Sequence, residues 1–186
     1  NALDNKSLVE LSFKKGYCYF YRKDFETAKS NFFEIRDVPS KFYYSTNYYI
    51  AYISYYEKDY DEALNSFYRV NVSKLYKKIV PYYIAQIYFI KKNYDKVIEF
   101  ASPLMKNPDF KYAQETAYII GQSYFNLKEY TTALPFLESY VSSAKRLLRS
   151  DIYNLAFTYY KLKKWGMAVN NFTQLSDGKD SVAQNT

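Results

Sequence analysis

Residues 121–137 read GQSYFNLKEYTTALPFL, and the spacing within this stretch decides the fold. Gly121 lies inside an apolar run, Tyr124 follows three residues later, and Ala133 comes twelve residues after the glycine. A charged pair and an aromatic residue, KEY at 128–130, separate the two small residues. Glycine weakens a helix, so a glycine here indicates that another backbone comes close at this point.

The same arrangement occurs five times along the chain, at steps of 34 to 36 residues. Its first small residue is Gly16, Ala51, Ala85, Gly121 and Ala156. Its second small residue, twelve positions later, is Ala28, Ala63, Val97, Ala133 and Ala168. Between them lie KDF, KDY, KNY, KEY and KKW, and four residues after the second small position come Phe32, Phe67, Ala101, Leu137 and Phe172. A period of this length is typical of stacked helical units.

Each repeat is predicted to be a helical hairpin. The two small residues let two helix backbones approach, and the polar pair marks the turn between them. The lysine of that pair is expected at the end of the first helix, where the dipole favours a cation, and the following aromatic residue wedges the hairpin. One hairpin cannot bury both of its faces, so successive hairpins stack. The prediction is an all-α fold, a right-handed α-α superhelix (solenoid) of about five hairpins.

This pattern resembles the tetratricopeptide repeat (TPR) family over nearly the whole chain. The resemblance implies one solenoid over 6–177, with repeats of about 9–43, 44–77, 78–113, 114–148 and 149–182 and a truncated repeat at 178–186. Ser54 and Val97 depart from the family pattern. Tyr48, Tyr82, Tyr118 and Tyr153 stand one place after the usual tryptophan. This variant resembles bacterial members, which suggests the cell envelope or periplasm, whereas pentatricopeptide RNA readers lack the framework.

Composition argues against catalysis and against a cofactor or metal. The 186 residues contain no histidine, which removes histidine bases, Ser-His-Asp and Cys-His nucleophiles and histidine-based metal sites. Asp24 and Asp59 stand at predicted starts of second helices, where capping favours acids, and Cys18 is expected to be a small packing residue. No apolar run is long enough to span a membrane.

The residues of the first helices carry the binding hypothesis. The resemblance implies that three positions of each repeat face a concave groove: three before, one after and four after the first small residue. Thirteen of these fifteen residues are aromatic, although aromatics make up 22% of the chain. The predicted contact residues are Tyr17, Tyr48, Tyr52, Tyr55, Tyr82, Gln86, Tyr118, Gln122 and Tyr153.

Two interpretations of these rings stay open. Rings at helical spacing pack neighbouring helices together, and they also form a groove suited to an extended peptide or partner helix. Rings and cations together bind nucleic acids or glycans too, in a chain whose net charge is +7. The cations gather at the hairpin turns, outside the aromatic positions, so we expect a protein or peptide partner rather than a nucleic acid.

Overall fold

The computed structural model describes residues 4–107 and 110–176. In these ranges the chain forms ten α-helices and a short 3-10 helix, Ser102–Lys106, with no strand, which confirms the all-α prediction. The helices are α1 (Asn5–Tyr21), α2 (Phe25–Phe33), α3 (Tyr43–Tyr56), α4 (Tyr60–Val70), α5 (Val80–Ile90), α6 (Tyr94–Ala101), α7 (Ala113–Asn126), α8 (Tyr130–Ser143), α9 (Arg149–Lys161) and α10 (Trp165–Thr173).

The helices fall into two compact units, one ending at Ile87 and one beginning at Tyr88, so the border lies inside α5. In the first unit α1 packs on α2 and α3 packs on α4, and α2 also contacts α3. In the second unit α7 packs on α8 and α9 packs on α10, while α6 contacts α7 and α8 contacts α9. The single domain over 6–177 stays a prediction, and the truncated repeat at 178–186 lies outside the described residues.

All five hairpin turns have the same backbone structure. The Lys58 N–H donates to the Tyr55 carbonyl at 3.1 Å, and the Asp59 N–H donates to the Ser54 carbonyl at 2.9 Å. These two bonds define a Schellman motif, whose central residue is left-handed and is usually glycine. A lysine occupies that position in every repeat, and its φ lies between 57° and 65°. The lysines therefore lie in the turn at the end of each first helix, as predicted, but in a left-handed conformation that the sequence analysis did not predict.

An acidic residue stands directly before the second helix of two hairpins, as the sequence predicted. Asp24 accepts a hydrogen bond from the Thr27 N–H at 3.2 Å, and Asp59 accepts one from the Glu62 N–H at 3.3 Å. These side chains satisfy backbone donors that have no partner inside the helix. Both carboxylates are therefore N-caps.

The aromatic residue after each turn contacts a ring of the preceding helix, as the wedge interpretation predicted. Ring centroids are 5.7 Å apart for Phe20 and Phe25 and 5.5 Å apart for Tyr160 and Trp165. The three other turns repeat the contact with the pairs Tyr55–Tyr60, Phe89–Tyr94 and Phe125–Tyr130. These rings close each hairpin at its turn.

The small residues are buried in all five repeats. A Cβ added to Gly121 would lie 2.6 Å from the Phe136 Cβ, and one added to Gly16 would lie 2.7 Å from the Phe32 ring. Such distances are below van der Waals contact. The two glycines therefore allow a helix approach that any side chain would prevent.

Stacked rings join successive hairpins in the first unit. The Phe32 ring of α2 lies parallel to the Tyr49 ring of α3, with centroids 5.3 Å apart and an interplanar angle of 10°. The Phe67 ring of α4 repeats this arrangement with Tyr83 of α5, at 5.2 Å and 11°. Phe32 and Phe67 are fully buried, so these rings belong to the core.

Cys18 is exposed, and the prediction that it packs in the interior is wrong. The equivalent residue of the second repeat, Ile53, is 1% exposed and belongs to a cluster with Ala28 and Phe32 of α2. Ile53 is therefore covered by side chains of the preceding hairpin. Because no hairpin precedes α1 within the described residues, this face of α1 is open there.

The left-handed turn lysines carry a steric cost that glycine would relieve. We expect Lys58→Gly to raise the free energy of unfolding by about 1 kcal/mol, because only a side chain with a Cβ is disfavoured at this φ. Urea denaturation followed by circular dichroism measures the change. Lys58→Val, with a branched Cβ, should lower stability instead, and a loss of stability on Lys58→Gly would contradict the strain argument.

Two glycine substitutions, which should change the free energy of unfolding in opposite directions, test the helix contact. Gly121→Ala should cost about 1–3 kcal/mol, because Phe136 cannot move away without shifting its backbone. Gly166→Ala is the control, since an added Cβ at Gly166 meets nothing within 4 Å, and it should stabilise α10 by up to about 1 kcal/mol. Urea denaturation measures both, and equal effects would contradict the close-approach argument.

Candidate functional site

The rings predicted to contact a partner in the first unit are partly exposed. Tyr17 on α1 is 38% exposed, while Tyr48, Tyr52 and Tyr55 on α3 are half-buried. The Tyr52 ring lies 5.7 Å from Phe20 of α1. These rings therefore pack adjacent first helices together, and part of each ring also stays accessible to solvent.

A hydrogen-bonded network connects three of the predicted contact residues. The Tyr55 hydroxyl donates to the Gln86 Oε1 at 3.0 Å, and the Gln86 Nε2 donates to the Tyr82 hydroxyl oxygen at 2.7 Å. Tyr55 lies on α3, and the other two lie on the part of α5 in the same unit. The network fixes the orientation of both rings, so little conformational entropy remains to be lost on binding.

Tyr48 is held by a residue of the loop that follows α4. Its ring stacks on Tyr76 with centroids 4.4 Å apart and an interplanar angle of 14°. Tyr76 is 8% exposed, and its hydroxyl donates to the Ser45 Oγ at 3.1 Å. The Tyr48 ring therefore packs the loop against α3, and packing dominates at this position.

In the second unit, Tyr118 forms a hydrogen bond with a buried carboxylate. Its hydroxyl donates to the Asp151 Oδ1, and the Leu148 N–H donates to the Asp151 Oδ2 at 2.9 Å. Asp151 is 2% exposed, and the Tyr118 ring stacks on Tyr140 with centroids 3.9 Å apart. The Tyr118 hydroxyl is therefore used inside the protein, where it links α7 to the start of α9.

Gln122 was predicted as a contact residue, and the structure places it inside the second unit. The side chain is 5% exposed, and its Oε1 accepts a hydrogen bond from the Asn154 Nδ2 at 2.8 Å. A residue this deeply buried cannot offer its amide directly to a partner in this conformation. Gln122 therefore links α7 to α9, and we leave it out of the proposed contact surface.

Tyr153, the last predicted contact residue, is half-buried on α9. Its ring stacks on Phe157 with centroids 6.0 Å apart and meets the edge of Phe172 on α10 at 5.9 Å. The Tyr153 ring therefore packs α9 against α10, and part of the ring stays exposed.

Burial raises the pKa of several tyrosines above the ordinary value. It is the main cause for Tyr48 and Tyr118, and hydrogen bonding to Asp151 adds to the effect at Tyr118. Burial also raises the pKa of Tyr55 to about 12. The hydroxyls of Tyr48, Tyr55 and Tyr118 therefore stay protonated at neutral pH.

Sequence reasoning missed two of the most accessible rings. Tyr21 is 66% exposed and Tyr56 is 59% exposed, and each stands four residues after a predicted contact residue, Tyr17 and Tyr52. Residues four apart share one helix face. That spacing could have identified them, but the three positions taken from the family pattern end one residue earlier.

Among the described residues, no group of three or more histidine, cysteine, aspartate or glutamate residues is arranged to hold a metal ion. In the same ranges, no helix combines the length and apolar character that crossing a membrane requires.

Solved structures provide the comparison with known proteins. YrrB, described as a TPR protein with an unusual peptide-binding site, is 11% identical, with a TM-score of 0.74 over 94% of this chain and 89% of its own. MamA is 13% identical, with a TM-score of 0.73 over 96% and 97%. A tetratricopeptide repeat protein from Parabacteroides merdae is 18% identical, with a TM-score of 0.72 over 92% of this chain and 66% of its own.

No family model matches the sequence, and no curated protein matches it either. The structural likeness agrees with the repeated hairpins, the buried small residues and the turn motifs described above. The chain therefore has the fold of tetratricopeptide repeat proteins, a helical repeat fold of the solenoid type.

The raised tyrosine pKa values predict how stability depends on pH. The unfolded chain loses tyrosine protons near pH 10, whereas the folded chain holds them to higher pH, so the folded state binds more protons above pH 10. Stability should be unaffected by this group of residues at pH 8 and should fall as the pH rises from about 10 to 12.

Urea denaturation at several alkaline pH values measures this dependence. Tyr48→Phe should reduce its slope, because phenylalanine keeps the ring and has no proton to lose. A slope that is equal in the original chain and in Tyr48→Phe would contradict the contribution of the buried hydroxyl.

Proposed function

We propose that this chain is a non-enzymatic protein-interaction scaffold that binds a peptide or partner helix on the ring-bearing surface of its first helices. The observation that carries the proposal is the network of Tyr55, Gln86 and Tyr82. A surface of fixed aromatic rings provides a large contact area at low entropic cost.

The contact surface is proposed within each unit separately. In the first unit it comprises Tyr17, Tyr48, Tyr52, Tyr55, Tyr82 and Gln86. In the second unit it comprises Tyr118 and Tyr153, whose rings keep an exposed part although their contacts are mainly internal. YrrB, with its peptide-binding site, supports the proposal as a structural neighbour. Asp24 and Asp59, the acidic residues at the starts of two second helices, are occupied as helix caps.

Selection of peptides on the intact chain tests the proposal. Peptides from a random phage-displayed library are selected on the protein, and their affinities are measured by fluorescence anisotropy. Tyr82→Ala should weaken binding about tenfold or more, which corresponds to about 1.4 kcal/mol. The free energy of unfolding should change less, because the ring is only half-buried.

The matched control is Tyr68→Ala, which removes an exposed ring on the second helix of a hairpin and should leave the affinity unchanged. If Tyr82→Ala instead costs several kcal/mol of stability, the ring is a packing residue. Steeply salt-dependent binding of generic single-stranded DNA, without peptide binding, would favour the nucleic-acid alternative.

A further inference from the structure

The loop between α4 and α5, residues 71–79, presents basic and aliphatic side chains together, and we call it the lysine loop. It reads NVSKLYKKI, with three lysines and no acidic residue. Val72 is 75% exposed and Leu75 is 70% exposed, which are the two largest values among the large hydrophobic residues that the structure describes. The three lysines are exposed as well.

Consecutive backbone turns hold the lysine loop in one conformation. The Ser73 N–H donates to the Val70 carbonyl at 2.9 Å, and the Tyr76 N–H donates to the Ser73 carbonyl at 3.1 Å. The Val80 N–H in turn donates to the Tyr76 carbonyl at 2.9 Å. These four residues are all buried, and the Tyr76 ring stacks on Tyr48 of α3. The lysine loop is therefore anchored to the core of the first unit.

The anchored backbone sets the side on which the aliphatic residues lie. Hydrogen bonds between residues three apart are of the 3-10 type, in which side chains three apart lie one above the other. Val72 and Leu75 have this spacing. Because more than two thirds of each side chain is exposed, both project from the surface and do not line a groove. They form a small aliphatic prominence bordered by lysines.

The lysine loop is positively charged when the neighbouring elements are counted too. α3 and α5 contain no charged residue. In α4, Asp61 and Glu62 lie in the first turn, at the end of the helix away from the loop, and Arg69 lies in the last turn. Arg69 pairs with Asp37, whose own loop, residues 34–42, carries two basic and two acidic residues. The lysine loop therefore supplies the excess positive charge in this part of the unit.

This combination fits the surface of a membrane that contains anionic lipids. A lysine near such a surface raises the affinity about fivefold, and aliphatic side chains between the lysines enter the boundary between headgroups and acyl chains. Projecting aliphatic side chains need a soft apolar layer to enter. An acidic peptide would instead be held best in a groove, which Val72 and Leu75 do not form.

We propose that the lysine loop docks the chain on a membrane surface that contains anionic lipids. Its two aliphatic side chains enter the acyl boundary, and its three lysines contact the headgroups. The proposal goes beyond the scaffold function, and it uses a loop between two hairpins, whereas the proposed peptide surface consists of rings on first helices.

Flotation of the whole chain with lipid vesicles tests the docking. Phosphatidylcholine vesicles that contain about one third phosphatidylserine should bind the chain at least about tenfold more tightly than vesicles of phosphatidylcholine alone. The affinity should fall as added salt screens the charges. Equal affinity for the two kinds of vesicle, or binding to neither, would overturn the proposal.

Substitution of two lysines locates the binding. Lys74→Gln combined with Lys77→Gln should lower the affinity for anionic vesicles at least about tenfold. Lys6→Gln combined with Lys15→Gln is the matched control, since it removes the same charge at two exposed lysines of α1, and it should bind as the original chain does. Equal losses in the two variants would show attraction by net charge alone and would overturn the proposed site.

A fluorescent label reports whether the aliphatic side chains enter the membrane. Cys18 is the only cysteine of the chain, so Cys18→Ser combined with Leu75→Cys carries a single label. The emission of a nitrobenzoxadiazole label there should strengthen and shift to the blue on anionic vesicles, because the label enters an apolar layer. The same label at Val169→Cys, an exposed aliphatic position on α10, should not change. An unchanged emission at residue 75 would overturn the insertion.

The remaining outcomes separate this proposal from the others. If polyglutamate binds the chain through Lys74 and Lys77 while anionic vesicles do not bind, the loop recognises an acidic polypeptide and the lipid proposal fails. If library peptides bind in a manner that depends on Tyr82 while vesicles do not bind, the lipid proposal fails and the scaffold function stands. Vesicle binding without peptide binding gives the opposite result.

Discussion

The close contact between the two helices of a hairpin is the constraint on which the rest of this structure depends. At Gly121 the Phe136 side chain leaves no room for a Cβ, and at Gly16 the Phe32 ring does the same. Helices this close form a thin hairpin that cannot enclose a core alone. The next hairpin must cover it, and in the first unit the Phe32–Tyr49 and Phe67–Tyr83 stacks provide that cover.

The abundance of tyrosine serves packing and exposure together. A tyrosine ring can bury its apolar body while its hydroxyl reaches a polar partner or water. Tyr76 and Tyr118 show the packed form, with hydroxyls bound to Ser45 and Asp151. Tyr21 and Tyr56 show the exposed form. Tyrosines of this chain thus differ from position to position in whether they pack or stay exposed.

Local features of the hairpin could be predicted, whereas the candidate site could be predicted only in part. The caps at Asp24 and Asp59 and the wedge rings follow from residues a few positions apart, whose interactions depend on helix geometry alone. The left-handed lysines were missed because glycine usually occupies that position. The burial of Gln122 and the exposure of Cys18 could not be predicted, since burial depends on a neighbouring hairpin that local spacing does not describe.

The sequence by itself determined the helical hairpins, their number and the positions where their backbones meet, because a repeated spacing of small and aromatic residues is a property of the chain. Only the tertiary structure decided which rings are accessible. Tyr17 and Gln122 occupy equivalent repeat positions, yet one is 38% and the other 5% exposed. The physical reason is that exposure is set by the side chains of adjacent hairpins, which differ from repeat to repeat although the spacing does not.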